Sequence, residues 1–158
     1  PRVNVLQPGT GVGGHCIAVD PWFIVSKDPE NARIIKTARQ VNDAKPDWVV
    51  SKIKAKADSL NTKRVVCLGL AFKPDIDDLR ESPAVKVVES LLDQGYDVSC
   101  VEPNIAKHTK FNLVDIKDAT SKFEILALLV KHKEFISNET SNDLEIKGTL
   151  DFCGALSK

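Results

Sequence analysis

Methionine is absent from these 158 residues, tyrosine occurs once and tryptophan twice, and 22 basic residues balance 22 acidic ones. A chain with no net charge has no bulk field to draw in nucleic acid or a membrane surface, so any anion must be held by local groups. Long apolar runs are also missing. The strongest, Ile125 to Val130, is far too short to cross a bilayer, and no basic-then-apolar leader opens the sequence. The expectation is a cytoplasmic protein with no nucleic-acid or membrane partner. Cys16, Cys67, Cys100 and Cys153 show neither C-x-x-C spacing nor histidines at finger-like intervals, which argues against a metal site and for free thiols. Hydrophobic residues at 42% and charged residues at 28% suit one globular core with a helical extension.

What the sequence has is glycine in one place. Gly9-Thr10-Gly11-Val12-Gly13-Gly14-His15-Cys16 ends in a cysteine, and Asp20-Pro21 follows four residues on. Little side chain stands between such a backbone and a ligand. Gly9, Gly11 and Gly14 match the G-x-G-x-x-G dinucleotide fingerprint, which requires a strand before it and a helix opening at its last glycine. Neither flank fits: Val3 to Leu6 is short and ends at Pro8, and Ile17-Ala18-Val19 leads into Asp20-Pro21, poor helix material because residues before proline avoid the helical region. Two readings of Cys16 stay open on spacing alone, a nucleophile on a binding loop and a cysteine buried under a glycine-rich turn. Its neighbour His15 points to the opposite face if the segment is extended, which argues against a Cys-His pair. Cys67 and Cys100 sit in apolar strand-like runs as small core residues, and His108 and His132 read as surface residues.

Downstream, Asp28 resembles an N-cap with Pro29 and Glu30 in the first turn. Ile34, Ile35, Ala38, Val41, Trp48, Val49, Ile53 and Ala57 continue a helical apolar face, and Pro46 forces a kink or two helices abutting near 43–45. The pattern then becomes βαβ. Strands are predicted over 64–69, 97–101 and 123–130, with weaker ones at 113–116 and 150–153. A helix opens at Ser82-Pro83 and stops at Gly95, and residues 131–145 hold a helix or irregular segment. The expected fold is α/β, a long central helix followed by a small doubly wound, Rossmann-like parallel-sheet domain. Its ligand belongs at the carboxyl ends of the strands. The loop 69–81 leaves the first strand there, which puts Phe72, Lys73 and Arg80 in position. On chemistry alone Lys73 is a ligand contact or a surface lysine, and Asp75, Asp77 and Asp78 are solvated acids or partners of Arg80. Glu102, ending the next strand, sits where an acid can hold a ribose hydroxyl.

Two long stretches, Pro1-Arg2-Val3-Asn4 with Pro8 to Phe23, and Gly69 to Ala84, closely resemble the UDP-sugar 6-dehydrogenase family. The form His15-Cys16-Ile17-Ala18-Val19-Asp20-Pro21-Trp22 is most similar to the branch acting on UDP-N-acetyl-D-mannosamine, and Val19, where UDP-glucose enzymes carry a lysine, agrees. The resemblance implies NAD-dependent oxidation of the sugar C6 alcohol to a carboxylate in two steps through a cysteine thioester, serving surface polysaccharide synthesis. Related activities on UDP-N-acetylglucosamine or UDP-glucose, or an inactive nucleotide-sugar-binding piece, are the alternatives, with a thiol hydrolase as a third class. By resemblance Cys16 is the nucleophile, Asp20 its catalytic aspartate, and Arg2, Gly13, Phe72 and Lys73 contact the substrate. The NAD site is expected in an amino-terminal half that this sequence, starting at Pro1 and lacking methionine, does not carry, so the piece alone should be inactive. The implied division is a catalytic cysteine loop at 1–27, a central helix and homodimer region at 28–61, and a UDP-sugar-binding domain at 62–158. Cys153 departs from the family, standing where relatives place a basic residue.

Overall fold

Along β1 (Arg64–Leu68), Val65 and Cys67 face one side and Val66 and Leu68 the other, and all four are sealed from solvent. A strand apolar on both faces needs cover on both, which is the signature of a parallel sheet with helices on each side. The computed structural model describes residues 7–156 and has this architecture. β1 is central, flanked by β2 (Asp97–Val101) and β4 (Ile125–Leu128), with β3 (Asn112–Leu113) and β5 (Leu150–Asp151) at the edges; the order is β3-β2-β1-β4-β5 and every pair is parallel. The expected α/β class, with a doubly wound parallel sheet, is what the chain forms.

On one face, α3 (Lys45–Leu60) lays Val49, Ile53 and Ala57 beside Val87, Val88 and Leu91 of α4 (Pro83–Asp93), over Val65, Cys67 and Cys100. On the other, Ala119 of α5 (Ile116–Lys122) and Leu144 of α6 (Asn138–Ile146), with Phe123 and Phe135, cover Val66, Leu68, Leu126 and Leu128. Cys67 and Cys100 face each other across the β1–β2 register, and burial pushes the Cys100 thiol up to about 12. Their role as small core residues is as expected. The α4 start is also as expected: Ser82 caps it, its hydroxyl accepting from the Val85 amide at 3.4 Å while donating to the Leu70 carbonyl at 2.6 Å, with Pro83 in the first turn.

The helical extension corrects two readings. The segment after Cys16 is not all loop: α1 spans Asp20–Lys27, because Pro21 falls in the first turn, where its missing N–H has no partner to lose. Asp28 therefore closes α1 instead of opening the next helix. Its amide donates to the Ile24 carbonyl and its carboxylate accepts from the Asn31 amide, which delays α2 to Arg33–Asp43. Ala44 alone separates α2 from α3, so the break forced by Pro46 is two abutting helices. The apolar face survives on α3 but not on α2, where Ile34 and Val41 are exposed; Trp48 is also exposed, with the Lys45 ammonium 3.6 Å from its ring centroid. The weak strand expected at 113–116 is the two-residue β3, and α5 follows at once. No helix among the described residues is long and apolar enough to cross a membrane.

At the carboxyl end of the sheet a buried carboxylate organises three loops. Glu102 Oε2 accepts from the amides of Leu70 at 2.7 Å and Ala71 at 3.1 Å, while Oε1 accepts from the Asn104 amide at 3.1 Å. His132 Nε2 lies 3.2 Å from Oε2, both side chains being fully buried. His132 Nδ1 accepts from the Asp75 amide at 3.0 Å, which assigns the ring proton to Nε2. His132 is thus a core residue, not the surface residue its polar sequence neighbours suggested, and Glu102 has no oxygen left for a ribose. Burial acts to raise the Glu102 carboxyl, but the bonds from His132, Leu70 and Asn104 outweigh it and hold the group at about 2, against an ordinary 4.5. A depressed folded-state value contributes stability that is fully present above the unfolded value and is lost as pH falls from about 4.5 towards 2. Acid titration followed by circular dichroism should show that loss. Glu102→Gln should abolish this part of the pH dependence and cost about 1–3 kcal/mol at pH 7, because amide donors then face an NH2 group.

Candidate active site

The glycine segment crosses the carboxyl end of the sheet before it reaches Cys16. Thr10 Oγ1 donates to the Leu129 carbonyl at 3.3 Å just beyond β4, and Asn42 of α2 clasps the next turn, accepting from the Val12 amide at 2.8 Å and donating to the Val12 carbonyl at 3.1 Å. Asp43 fixes which way that amide points. Its Oδ1 accepts from Asn42 Nδ2 at 3.2 Å and from Arg39 Nη2 at 2.6 Å, so the amide nitrogen must face Asp43 and Val12 O. The glycines then serve internal packing. A Cβ on Gly13 would run into the Glu81 carbonyl and the Pro83 ring at the start of α4, and one on Gly14, whose φ is +85°, would sit 2.8 Å from the Phe72 ring.

Past Gly14 the chain turns instead of extending. The amides of Val19 and Asp20 both donate to the Cys16 carbonyl, at 3.1 and 2.8 Å. Cys16 is exposed while Cys67, Cys100 and Cys153 are buried, so the buried-cysteine reading of Cys16 falls. Burial drives the Cys153 thiol to about 12, and its sulfur lies against the Leu128 carbonyl. The turn also overturns the expectation for His15: its Nδ1 is 3.1 Å from Cys16 Sγ. Opposite-face alternation holds for extended backbone, which this is not.

Asp20 is exposed in the first turn of α1, and its side chain makes no capping bond. Phe72 is half-buried against Gly14, and its amide donates to the Asp78 carbonyl, so one contact joins the Cys16 turn to the β1 loop. Lys73 is exposed beside it. Arg80, by contrast, is engaged by Asp78 at 2.6–3.0 Å, and that bond is the main cause holding the Asp78 carboxyl at about 2. The expectation that an acid of this loop holds Arg80 is met. Arg2 lies outside the described residues. The sequence marks none of Asn42, Glu102 and His132 as a positioning group, the one local signal being that Glu102 and His132 each follow an apolar strand.

Two other sites fail on their donors. Asp75, His132 and Glu134 bring ligand atoms within 4.8 Å of one another, but His132 Nδ1 already accepts from the Asp75 amide and Asp75 Oδ1 accepts from the Lys133 amide. A crevice of about 510 Å³ at the ends of β2 and β3 is where a dinucleotide fold would seat a nucleoside. Its acids Asp115 and Glu134, beside an Asp118 that Lys122 pairs at 3.0 Å, repel a diphosphate, and its Glu102 is fully used. The residues lining this crevice do not fit NAD.

With this geometry in view, residues 1–44 match the central domain of the UDP-glucose/GDP-mannose dehydrogenase family, and residues 66–158 match its UDP binding domain. The chain belongs to this family. It is 54% identical over 144 residues to the UDP-N-acetyl-D-mannosamine dehydrogenase of Campylobacter jejuni, an alignment covering 86% of this chain and 35% of that protein. An NDP-N-acetyl-D-galactosaminuronic acid dehydrogenase from Ralstonia solanacearum is 50% identical, over 89% of this chain and 34% of that protein. Among solved structures, the UDP-N-acetyl-mannosamine dehydrogenase of S. aureus superposes with a TM-score of 0.71 at 43% identity, over 87% of this chain and 32% of that one. The chain therefore spans about a third of the length of the relatives it matches.

Asn42 makes a direct prediction. Asn42→Ala removes both bonds to Val12 and should cost about 1–2 kcal/mol in denaturant unfolding. Amide exchange at Val12 and Gly13 should accelerate while exchange in β1 keeps its rank as the slowest.

Proposed function

We propose that this chain is the nucleophile-bearing and UDP-binding portion of an NAD-dependent UDP-N-acetyl-D-mannosamine 6-dehydrogenase. The observation that carries the reading is the exposed Cys16 thiol on a tight turn whose preceding glycine packs on Phe72, at the carboxyl end of a parallel sheet. In this reading Cys16 Sγ adds to the C6 aldehyde formed by the first oxidation, which keeps the aldehyde from escaping. The thioester left after the second oxidation is opened by water, with Asp20 orienting it or taking its proton. Gly13, Phe72 and Lys73, with Arg2, line the UDP-sugar site, and Lys73 offers a point charge to phosphate or sugar oxygens. Hydride acceptance belongs to NAD, held by the part of the protein outside this chain.

The reading assigns residues 1–27 to the catalytic segment, 28–61 to the helices through which two copies associate, and 62–158 to UDP-sugar binding, in a cytoplasmic enzyme. Exposed Ile34 and Val41 on α2 support the association, since an apolar stripe of this kind gains by being covered. The galactosaminuronic relative at 50% identity supports a second substrate, an N-acetylgalactosamine nucleotide, within the same chemistry.

The test is NAD reduction by the complete protein with UDP-N-acetylmannosamine, UDP-N-acetylgalactosamine, UDP-N-acetylglucosamine and UDP-glucose, of which the first should turn over fastest. Cys16→Ser should stall after one oxidation or accumulate a slowly hydrolysed ester; full double oxidation by that variant removes the nucleophile assignment. Asp20→Asn should lower kcat more than it raises KM. In calorimetry, this chain alone should bind UDP weakly and NAD not at all, with UDP binding weakened about tenfold by Lys73→Ala, the loss of one charge-assisted contact.

A further inference from the structure

The contact between His15 and Cys16 has no part in the reading above, yet its chemistry is specific. Nδ1 of His15 lies 3.1 Å from Cys16 Sγ, within reach for an S–H···N bond, and both residues are exposed to whatever the Cys16 turn binds. The pair is built by backbone geometry. Two successive side chains come together here because the chain bends over 14–16 instead of extending, with Gly14 held from behind by the Phe72 ring and the carbonyl of Cys16 accepting from both Val19 and Asp20.

We propose that His15 is a further catalytic residue, the base that accepts the Cys16 thiol proton when sulfur adds to the substrate aldehyde and that returns a proton to sulfur when the thioester opens. The proposal rests on the reading of Cys16 as the nucleophile. In the addition, the Sγ–H proton moves to Nδ1 as the Sγ–C bond forms and the carbonyl π pair shifts to oxygen; the same proton then completes the hydroxyl of the thiohemiacetal. In the opening, water adds its oxygen to the acyl carbon, the C–Sγ bond breaks, and the proton that water loses passes through the imidazole to the departing sulfur. His15 begins and ends each step neutral. This division of labour leaves Asp20 to orient the water, and it explains why the thiol needs no lysine from its own loop to become a nucleophile.

Reactivity of the thiol tests this without turnover. Cys16 is the one exposed cysteine among the four, so iodoacetamide at neutral pH should label it first, and mass spectrometry of the Cys16 peptide gives the rate. His15→Ala should slow that alkylation about tenfold, as expected for losing the base that takes the thiol proton as sulfur attacks. His15→Asn, which can still approach sulfur with a polar atom but is not a base, should be equally slow. In the complete enzyme His15→Ala should lower kcat about a hundredfold with KM little changed. An alkylation rate within twofold of wild type in His15→Ala, or restored by His15→Asn, overturns the proposal even if Cys16→Ser abolishes double oxidation. Full double oxidation by Cys16→Ser removes the underlying reading, whatever the labelling shows.

Discussion

The geometry of the site end depends on the carboxylate of Glu102. A parallel sheet delivers its loops to one edge but does not fix them there, since backbone N–H groups leaving the strands have no ladder partner. Glu102 gives those of Leu70 and Ala71 an acceptor, holds the Asn104 amide with its other oxygen, and lies against His132 Nε2. His132 carries the connection on to Asp75. The loop bearing Phe72 and Lys73 is thus pinned on both sides, at Leu70–Ala71 by the acid and at Asp75 by the imidazole. Buried carboxylates are costly when unpaired. Here the cost of burial is offset by amide donors that would otherwise also be buried without partners, so the acid and the loops stabilise each other.

This use of Glu102 shows where the sequence was legible and where it was not. Apolar runs and the Ser82-Pro83 cap identified the strands, α4 and the doubly wound class, because periodicity and capping are local signals. The break between α2 and α3 was legible for the same reason, a proline that cannot continue a helix. The sequence is silent where a residue's partner is distant along the chain. Glu102 ends a strand where a dinucleotide fold places its ribose acid, and nothing local distinguishes that role from a bond to His132 30 residues away. His132, among lysines and acids, carried no local mark of burial. His15 was misread through a wrong assumption about backbone: an extended chain separates neighbours, whereas a turn brings them together.

Glycine at 13 and 14 illustrates a related point. The motif suggests a backbone made bare for a ligand. In the structure the missing side chains first make room for Glu81, Pro83 and Phe72. That packing is what presents Cys16, because a Cβ at Gly14 would push the turn away from the Phe72 ring, and Asn42 of α2 holds Val12 with both its amide atoms. The candidate nucleophile is therefore positioned by two separate elements, the helix before the sheet and the loop after β1. Its own loop contributes the turn.

The charges at this edge have a consistent arrangement. Asp78 is satisfied by Arg80, Asp75 accepts from the Lys133 amide, and Glu102 is enclosed by donors, leaving Asp77 as the one acid of the β1 loop that faces solvent without a bond among the described residues. Lys73 stands exposed on the same loop with its charge uncommitted. An anion approaching this loop meets a cation whose acidic neighbours are mostly paired with protein donors, whereas the crevice beyond β2 and β3 presents Asp115 and Glu134 beside an Asp118 that Lys122 pairs at 3.0 Å. With no net charge on the chain to attract a nucleotide diphosphate from afar, this local difference favours the β1 loop over the crevice. The pairing of Asp78 with Arg80 thus has two consequences. It removes Arg80 as a free anion contact, and it keeps Asp78 from cancelling Lys73.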